Sequence, residues 1–288
     1  MQSSPTFNTL ARRVLEIRWG RCRMKYCRFE LNNSPQYGLV ESSNGADYIT
    51  RLLLNAPEST EDLEDLPSKP VTRTPLSEAK LLVPVQPSKI ICVGRNYREH
   101  AAEFGNEVPK EPLIFLKALS SLLSPGAAIR RPKLSQRTDF EGELGAIIGR
   151  RCHKLRPEED VRSYILGYTI VNDFTARDLQ KQDGQWSRAK GFDTFCPVGP
   201  LVSTEIDPWS GVELETRVNG QVRQHGNTTH FIFPLDVILR YIAEVMTLEP
   251  GDLIATGTPE GVGPVVAGDS VEITISGIGT LRNPIADE

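Results

Sequence analysis

Two glutamates spaced two residues apart, Glu141 and Glu143, sit in the run Thr138 to Gly149 (TDFEGELGAIIG), which turns wholly apolar after them. Side chains on a strand alternate with a period of two, so both carboxylates fall on one face, and Gly142 adds no side chain to the other. Leu144 to Ile148 reads as a strand buried on both sides, which puts the pair at the mouth of a core. Like charges that close repel unless a cation lies between them. Taken alone, such a pair is also the pattern of an edge strand with solvated glutamates, and the residues downstream decide between the two.

Asn172-Asp173 follows another apolar stretch, Gly167 to Val171, and opens the segment Phe174 to Asp183. If that segment is helical, Asp173, Arg177 and Gln180 fall at i, i+4 and i+7 on one stripe, adding a third carboxylate, a cation and an amide. By itself Asp173 also suits a helix N-cap. Tyr97 to Phe104 reads as one or two helical turns in which His100 and Glu103 share a face. A carboxylate there would fix the imidazole tautomer of a base that takes a proton from water, although the same spacing occurs in exposed surface pairs. His153, His225 and His230 lack comparable neighbours and read as surface or packing residues.

The elements that must carry these groups are mostly strands. Strands are expected near Tyr26 to Leu31, Tyr37 to Glu41, Lys89 to Gly94, Pro112 to Leu116, Val271 to Ile275 and Gly279 to Arg282, with the PLIFL run at 112 buried. Asn219-Gly220 between Glu213 to Val218 and Gln221 to His225 is a type I′ hairpin signal. Helices are expected around Asp47 to Leu54, from Pro157 to Leu166, and over Pro234 to Leu248, the last with apolar residues at helical spacing. Three segments result: 1–23, Arg-rich with five arginines against Glu16, is a transit peptide or an extension before Met24; 24–84 is a small α/β domain ending in the acidic connector Glu58 to Asp65; 85–288 carries the chemistry. The glycine-rich loop Gly257 to Gly263 lacks the Gly-Lys-Ser/Thr ending of a phosphate loop, so it does not point to a nucleotide.

The 288 residues are 39% hydrophobic and 24% charged, an ordinary soluble composition with a substantial core. A formal charge of −4 leaves no basic stripe for nucleic acid, and no apolar run approaches the roughly 18 residues of a membrane helix. The five cysteines are scattered without a Cys-x-x-Cys pair, which fits a reducing compartment rather than disulfides or zinc.

In this order the motifs Gly94-Arg95-Asn96-Tyr97, His100, Glu103, Glu141, Glu143, Asp173 to Gln180 (DFTARDLQ), Lys190 to Asp193 (KGFD), Phe195-Cys196-Pro197 and Thr256 to Pro259 (TGTP) resemble the fumarylacetoacetate hydrolase family from about Lys89 onward. The resemblance implies an α+β, mostly β fold: a mixed β-roll or sandwich, assembled as a homodimer. It implies one Mg²⁺ or Mn²⁺ per chain held by Glu141, Glu143 and Asp173. It further implies that His100 and Glu103 act from a lid, that Lys190 is catalytic, and that Arg177, Gln180 and Thr258 bind substrate. The location implied is cytoplasmic, or the mitochondrial matrix if 1–23 is a transit peptide.

Three carboxylates form a hard oxygen site that leaves positions for a chelating 2-oxo or 2,4-dioxo acid. Hydrolysis of the C–C bond of an acylpyruvate, with His100 oriented by Glu103 as base and Lys190 stabilising the enolate, is the leading expectation. The alternatives are decarboxylation of oxaloacetate, or isomerisation of a related diacid, at the same site, and a metal-stabilised protein without turnover.

Overall fold

The computed structural model describes residues 23–57, 66–103, 105 and 107–288. The expected transit segment up to Cys22, the connector Glu58 to Asp65 and Phe104 lie outside the described residues.

One sheet dominates. In chain order its path contains β1 (Lys25–Leu31), β2 (Ser34–Ser43), β3 (Ala46–Leu53), β4 (Ser68–Pro75), β5 (Ile90–Gly94), β6 (Leu113–Lys117), β7 (Gly142–Ile148), β8 (Ile165–Asn172), β9 (Cys196–Ser203) and β10 (Leu253–Ala255). In space they run β4-β3-β2-β1-β9-β8-β7-β10-β5-β6, antiparallel except for the parallel pair β10 and β5. The strands of residues 25–53 are thus hydrogen-bonded into the same sheet as the later segment, through Lys25↔Ser203 and Tyr26↔Val202. A five-stranded sheet packs beside it, built on the hairpin Glu213–Val218 and Gln221–Asn227, then Ser270–Ile275, Gly279–Asp287 and Ile129–Arg131. Asn219 and Gly220 both take positive φ in the hairpin turn, as its Asn-Gly sequence requires.

Every residue of β7 and β8 is buried, because both faces of these strands are covered. Leu144, Ala146 and Ile148 pack with Ile273, Leu281 and the helix Leu235–Val245, while Ile147 packs on the other side with Ile90, Val198 and Leu253. Gly142 of the large sheet lies directly against Thr216, Gln224 and Ile273 of the smaller one. A Cβ there would lie 2.3 Å from Thr216 Oγ1 of the hairpin, so only glycine lets the sheets meet.

Four expectations are corrected. Residues 47 to 53 lie in strand β3 and Leu54 just past its end, with no helix: Asn44 and Gly45 take positive φ and turn β2 into β3, and Tyr48-Ile49-Thr50 is an aromatic and β-branched run. The helix expected from Pro157 to Leu166 is reduced to a 3-10 turn, Val161–Tyr164, capped by the Asp160 carboxylate, because Ile165 and Leu166 enter β8 and the core. The Pro112 to Leu116 run is the edge of the sheet, with Leu113 and Leu116 39% and 50% exposed. Helix structure after Asp173 begins only at Arg177 (Arg177–Asp183), since Thr175–Ala176 first pairs with Thr138 and Asp139.

Candidate active site

The Glu-x-Glu run crosses between sheets. Thr138–Phe140 belongs to a small three-stranded sheet and β7 to the large one, leaving Glu141 at the joint. Its backbone N–H donates to Asn172 Oδ1 at 3.0 Å, and Asp173 N–H donates to the Glu141 carbonyl at 2.9 Å. These two bonds at the end of the β7/β8 ladder bring Asp173 beside Glu141 and Glu143. Asp173 therefore reaches the site from a strand end, not from the helical stripe its spacing suggested.

One carboxylate oxygen from each of Glu141, Glu143 and Asp173 lies within 4.8 Å of the others, and all three residues are buried. Their neighbours differ. Glu141 accepts from Arg177 Nη2 on one oxygen and from Lys190 Nζ at 2.8 Å on the other. Asp173 accepts from Lys117 Nζ at 2.7 Å and from Lys190 Nζ. Glu143 accepts from the Gly257 N–H at 2.8 Å. Burial, then the charges of Asp173 and Glu141, push the Glu143 carboxyl well above its usual range. Burial acts on Glu141 in the same sense, but Lys190 and Arg177 outweigh it and hold that carboxyl low. A buried carboxylate short of donors between two other acids fits a hard divalent cation, and the three oxygens are the ligand type such an ion takes.

His100 lies on a short helix, Arg98–Glu103, and is 7% exposed. Its Nδ1 is 3.3 Å from Glu103 Oε2, while Glu103 Oε1 accepts from Gly261 N–H at 3.3 Å, tying the helix to the glycine-rich loop. Burial lowers the imidazole pKa from its ordinary value, against the opposing pull of Glu141. His225 also has an acid partner, Glu213 at 3.3 Å, contrary to the expectation that it has none; that pair sits on the exposed hairpin, away from the site.

Glu141, Glu143, Asp173, His100, Glu103, Lys190, Arg177, Gln180 and Thr258 all line one cavity of about 440 Å³, together with Arg95, Phe115, Lys181 and Trp186. Thr258 turns its hydroxyl to the scaffold: it donates to the Gly142 carbonyl and accepts from Gln224, each at 2.8 Å. Gln180 Oε1 accepts from Arg177 Nη1 at 2.7 Å, which orients the side-chain amide.

Three supporting residues escaped the sequence reading. Asp139, fully buried, receives Arg137 through two bonds and Arg177 Nε at 2.9 Å, and so aims the guanidinium that grips Glu141 and Gln180. It is the first acid of the period-two series Asp139, Glu141, Glu143, which was the signal available. Lys117 ends an apolar strand, and a lysine closing such a run was its signal. Gln224 joins the hairpin to both Gly142 N–H and the loop at Thr258 and Pro259; nothing local in its sequence marks it.

Residues 89–286 match the family model described as fumarylacetoacetate (FAA) hydrolase C-terminal. The chain is 38% identical over 279 residues to 2,4-didehydro-3-deoxy-L-rhamnonate hydrolase of a Sphingomonas species, spanning 92% of this chain and 96% of that one. It is 42% identical over 224 residues to the oxaloacetate tautomerase YisK of Bacillus subtilis, covering 73% and 74%. Among solved structures, 2-hydroxyhepta-2,4-diene-1,7-dioate isomerase from Mycobacterium marinum superposes with a TM-score of 0.80 at 42% identity, covering 92% of this chain and 99% of that one. Its mostly β fold, its clustered acids and these matches carry one conclusion: the chain belongs to the fumarylacetoacetate hydrolase family.

Proposed function

We propose that the protein is a divalent-metal-dependent hydrolase that cleaves the C–C bond of a 2,4-dioxo acid. The observation that carries this is the convergence on one cavity of three buried carboxylates, a buried lysine, and an imidazole paired with its own acid. Glu141, Glu143 and Asp173 would hold Mg²⁺ or Mn²⁺, which supplies positive charge to a bound 2-oxo carboxylate and to the enolate formed from it.

The remaining steps belong to side chains. His100, its tautomer set by Glu103, takes a proton from water, whose oxygen attacks the C4 carbonyl. The C3–C4 bond breaks, its electron pair goes to C3 as the enolate, and a proton returns to C3. The products are a carboxylic acid and a 2-oxo acid. Lys190, held between Glu141 and Asp173, adds a fixed cation; burial lowers its pKa, but the charges of Asp173 and Glu141 outweigh burial and raise it, so that it stays charged. Gln180, its carbonyl engaged by Arg177, turns its NH₂ donors to substrate oxygens.

The 42% identity to an oxaloacetate tautomerase favours a second reading, in which His100 moves a proton between oxygen and carbon of a 2-oxo diacid and no water attacks. A product assay with Mg²⁺ on acetylpyruvate and on enol-oxaloacetate separates them. Acetate plus pyruvate supports hydrolysis, faster loss of the enol absorbance without new products supports tautomerisation, and pyruvate plus CO₂ assigns decarboxylation instead.

A further inference from the structure

Arg95 has no role in the chemistry above. It follows β5 with φ of +57°, a left-handed backbone that residues with a Cβ seldom adopt and that clusters at functional sites. Its neighbours hold it there. Gly94 makes room for Trp186, whose ring would lie 2.9 Å from a Cβ at that position. Asn96, fully buried, bonds through its side chain to the backbone of Phe233 and Thr256. Tyr97 packs edge-on against Phe231 at 5.2 Å.

Between these fixed points Arg95 is half-buried and lines the cavity, and among the described residues it makes no hydrogen bond or ion pair. Lys181, exposed on the helix after Gln180, lines the same cavity and is equally unpartnered among the described residues. The other lining cations are committed, Arg177 to Asp139 and Glu141, and Lys190 to Glu141 and Asp173. The cavity is lined by four carboxylates (Glu103, Glu141, Glu143, Asp173) and four cations (Arg95, Arg177, Lys181, Lys190). A divalent ion at the triad therefore leaves a positive excess of two, the charge of a dicarboxylate; behind the lining, Lys117 at Asp173 and Asp139 at Arg177 offset each other.

We propose that Arg95 and Lys181 form a subsite for a second carboxylate, so that the substrate is a diacid: its 2-oxo end meets the triad and its far end meets these two cations beside the wall of Trp186 and Phe115. This rests on the triad being a site for 2-oxo acids. Two unreactive probes share the oxo-acid end, oxamate with one carboxylate and N-oxalylglycine with two. Calorimetric titration of the full chain in Mg²⁺ should show N-oxalylglycine bound roughly tenfold or more tightly than oxamate, the size of one charge-assisted pair. Arg95→Met should erase that preference and Lys181→Met reduce it, with oxamate affinity retained in both. If Arg95→Met does not fold, Lys181→Met decides alone. Equal affinities in the wild type, or a preference that survives both substitutions, overturn the subsite and leave the triad reading standing. Failure to bind either probe overturns both.

Discussion

The parallel strands β5 and β10 bury a carboxylate near each of their ends, and the two are treated in opposite ways. At the amino end, Asp252 is fully buried and collects the N–H groups of Ser88, Lys89 and Glu249, the Ser88 hydroxyl at 2.7 Å, and the Lys89 ammonium. At the carboxyl end, Glu143 is 2% exposed, accepts a hydrogen bond from the Gly257 N–H, and faces Glu141 and Asp173. Unpaired buried charge is costly, so a fold that surrounds one carboxylate with donors and starves another has given them different work. Asp252 is a knot that joins two strand starts, whereas Glu143 is placed where a cation could be held.

Glu143→Gln tests this contrast most severely. It should abolish turnover and weaken Mg²⁺ binding by more than the roughly 10–100-fold that loss of a mere outer partner costs. The metal-free variant should melt no lower than wild type, because a repelled charge has gone. A lowered melting temperature together with intact Mg²⁺ affinity by calorimetry would mean that Glu143 belongs with Asp252 after all.

His100→Gln comes next, with acylpyruvate hydrolysis down by about 10²–10⁴ and Mg²⁺ affinity unchanged. If hydrolysis survives, Glu103 is the next candidate for the base. Asp139→Asn is expected to raise KM about tenfold with kcat near wild type, since it loosens Arg177 and through it Gln180. A parallel fall in kcat would assign Asp139 a part in the chemical step.

The smallest effect on turnover belongs to Asp252→Ala. Urea titration should show a loss of about 3–5 kcal/mol, because three backbone donors and a lysine lose their partner, while kcat per folded molecule stays at the wild-type value. A site that fails along with the knot would join the two ends functionally.

What could be read from the sequence was local. The Glu-x-Glu period, the Asn219-Gly220 turn and the apolar stripe of the helix Leu235–Val245 are each contained within a dozen residues, and each stands in the structure. The misreadings were local as well. Asp47 to Leu54 looked helical only while Asn44-Gly45 went unweighed as a hairpin turn, and the acids after Pro157 imitated a helix start that the buried Ile165 and Leu166 overrule. The supporting shell has no local signature. Lys117 meets Asp173 across 56 positions, Arg177 meets Asp139 across 38, and Gln224 meets Thr258 across 34.

The parallel pairing of β10 with β5 also sets a timetable. It joins residues more than 160 positions apart, as the 163-residue separation of Lys89 and Asp252 shows, and such non-local pairing closes slowly. Glu141, Glu143 and Asp173 leave the ribosome long before Gly257, whose N–H holds Glu143, and before the loop that receives Glu103. During synthesis Glu143 is present without the backbone N–H that holds it, although Glu141 and Asp173 already have each other. The acidic cluster is therefore completed late in folding, and a cation bound there would add its stabilisation to a chain already assembled instead of guiding its early steps.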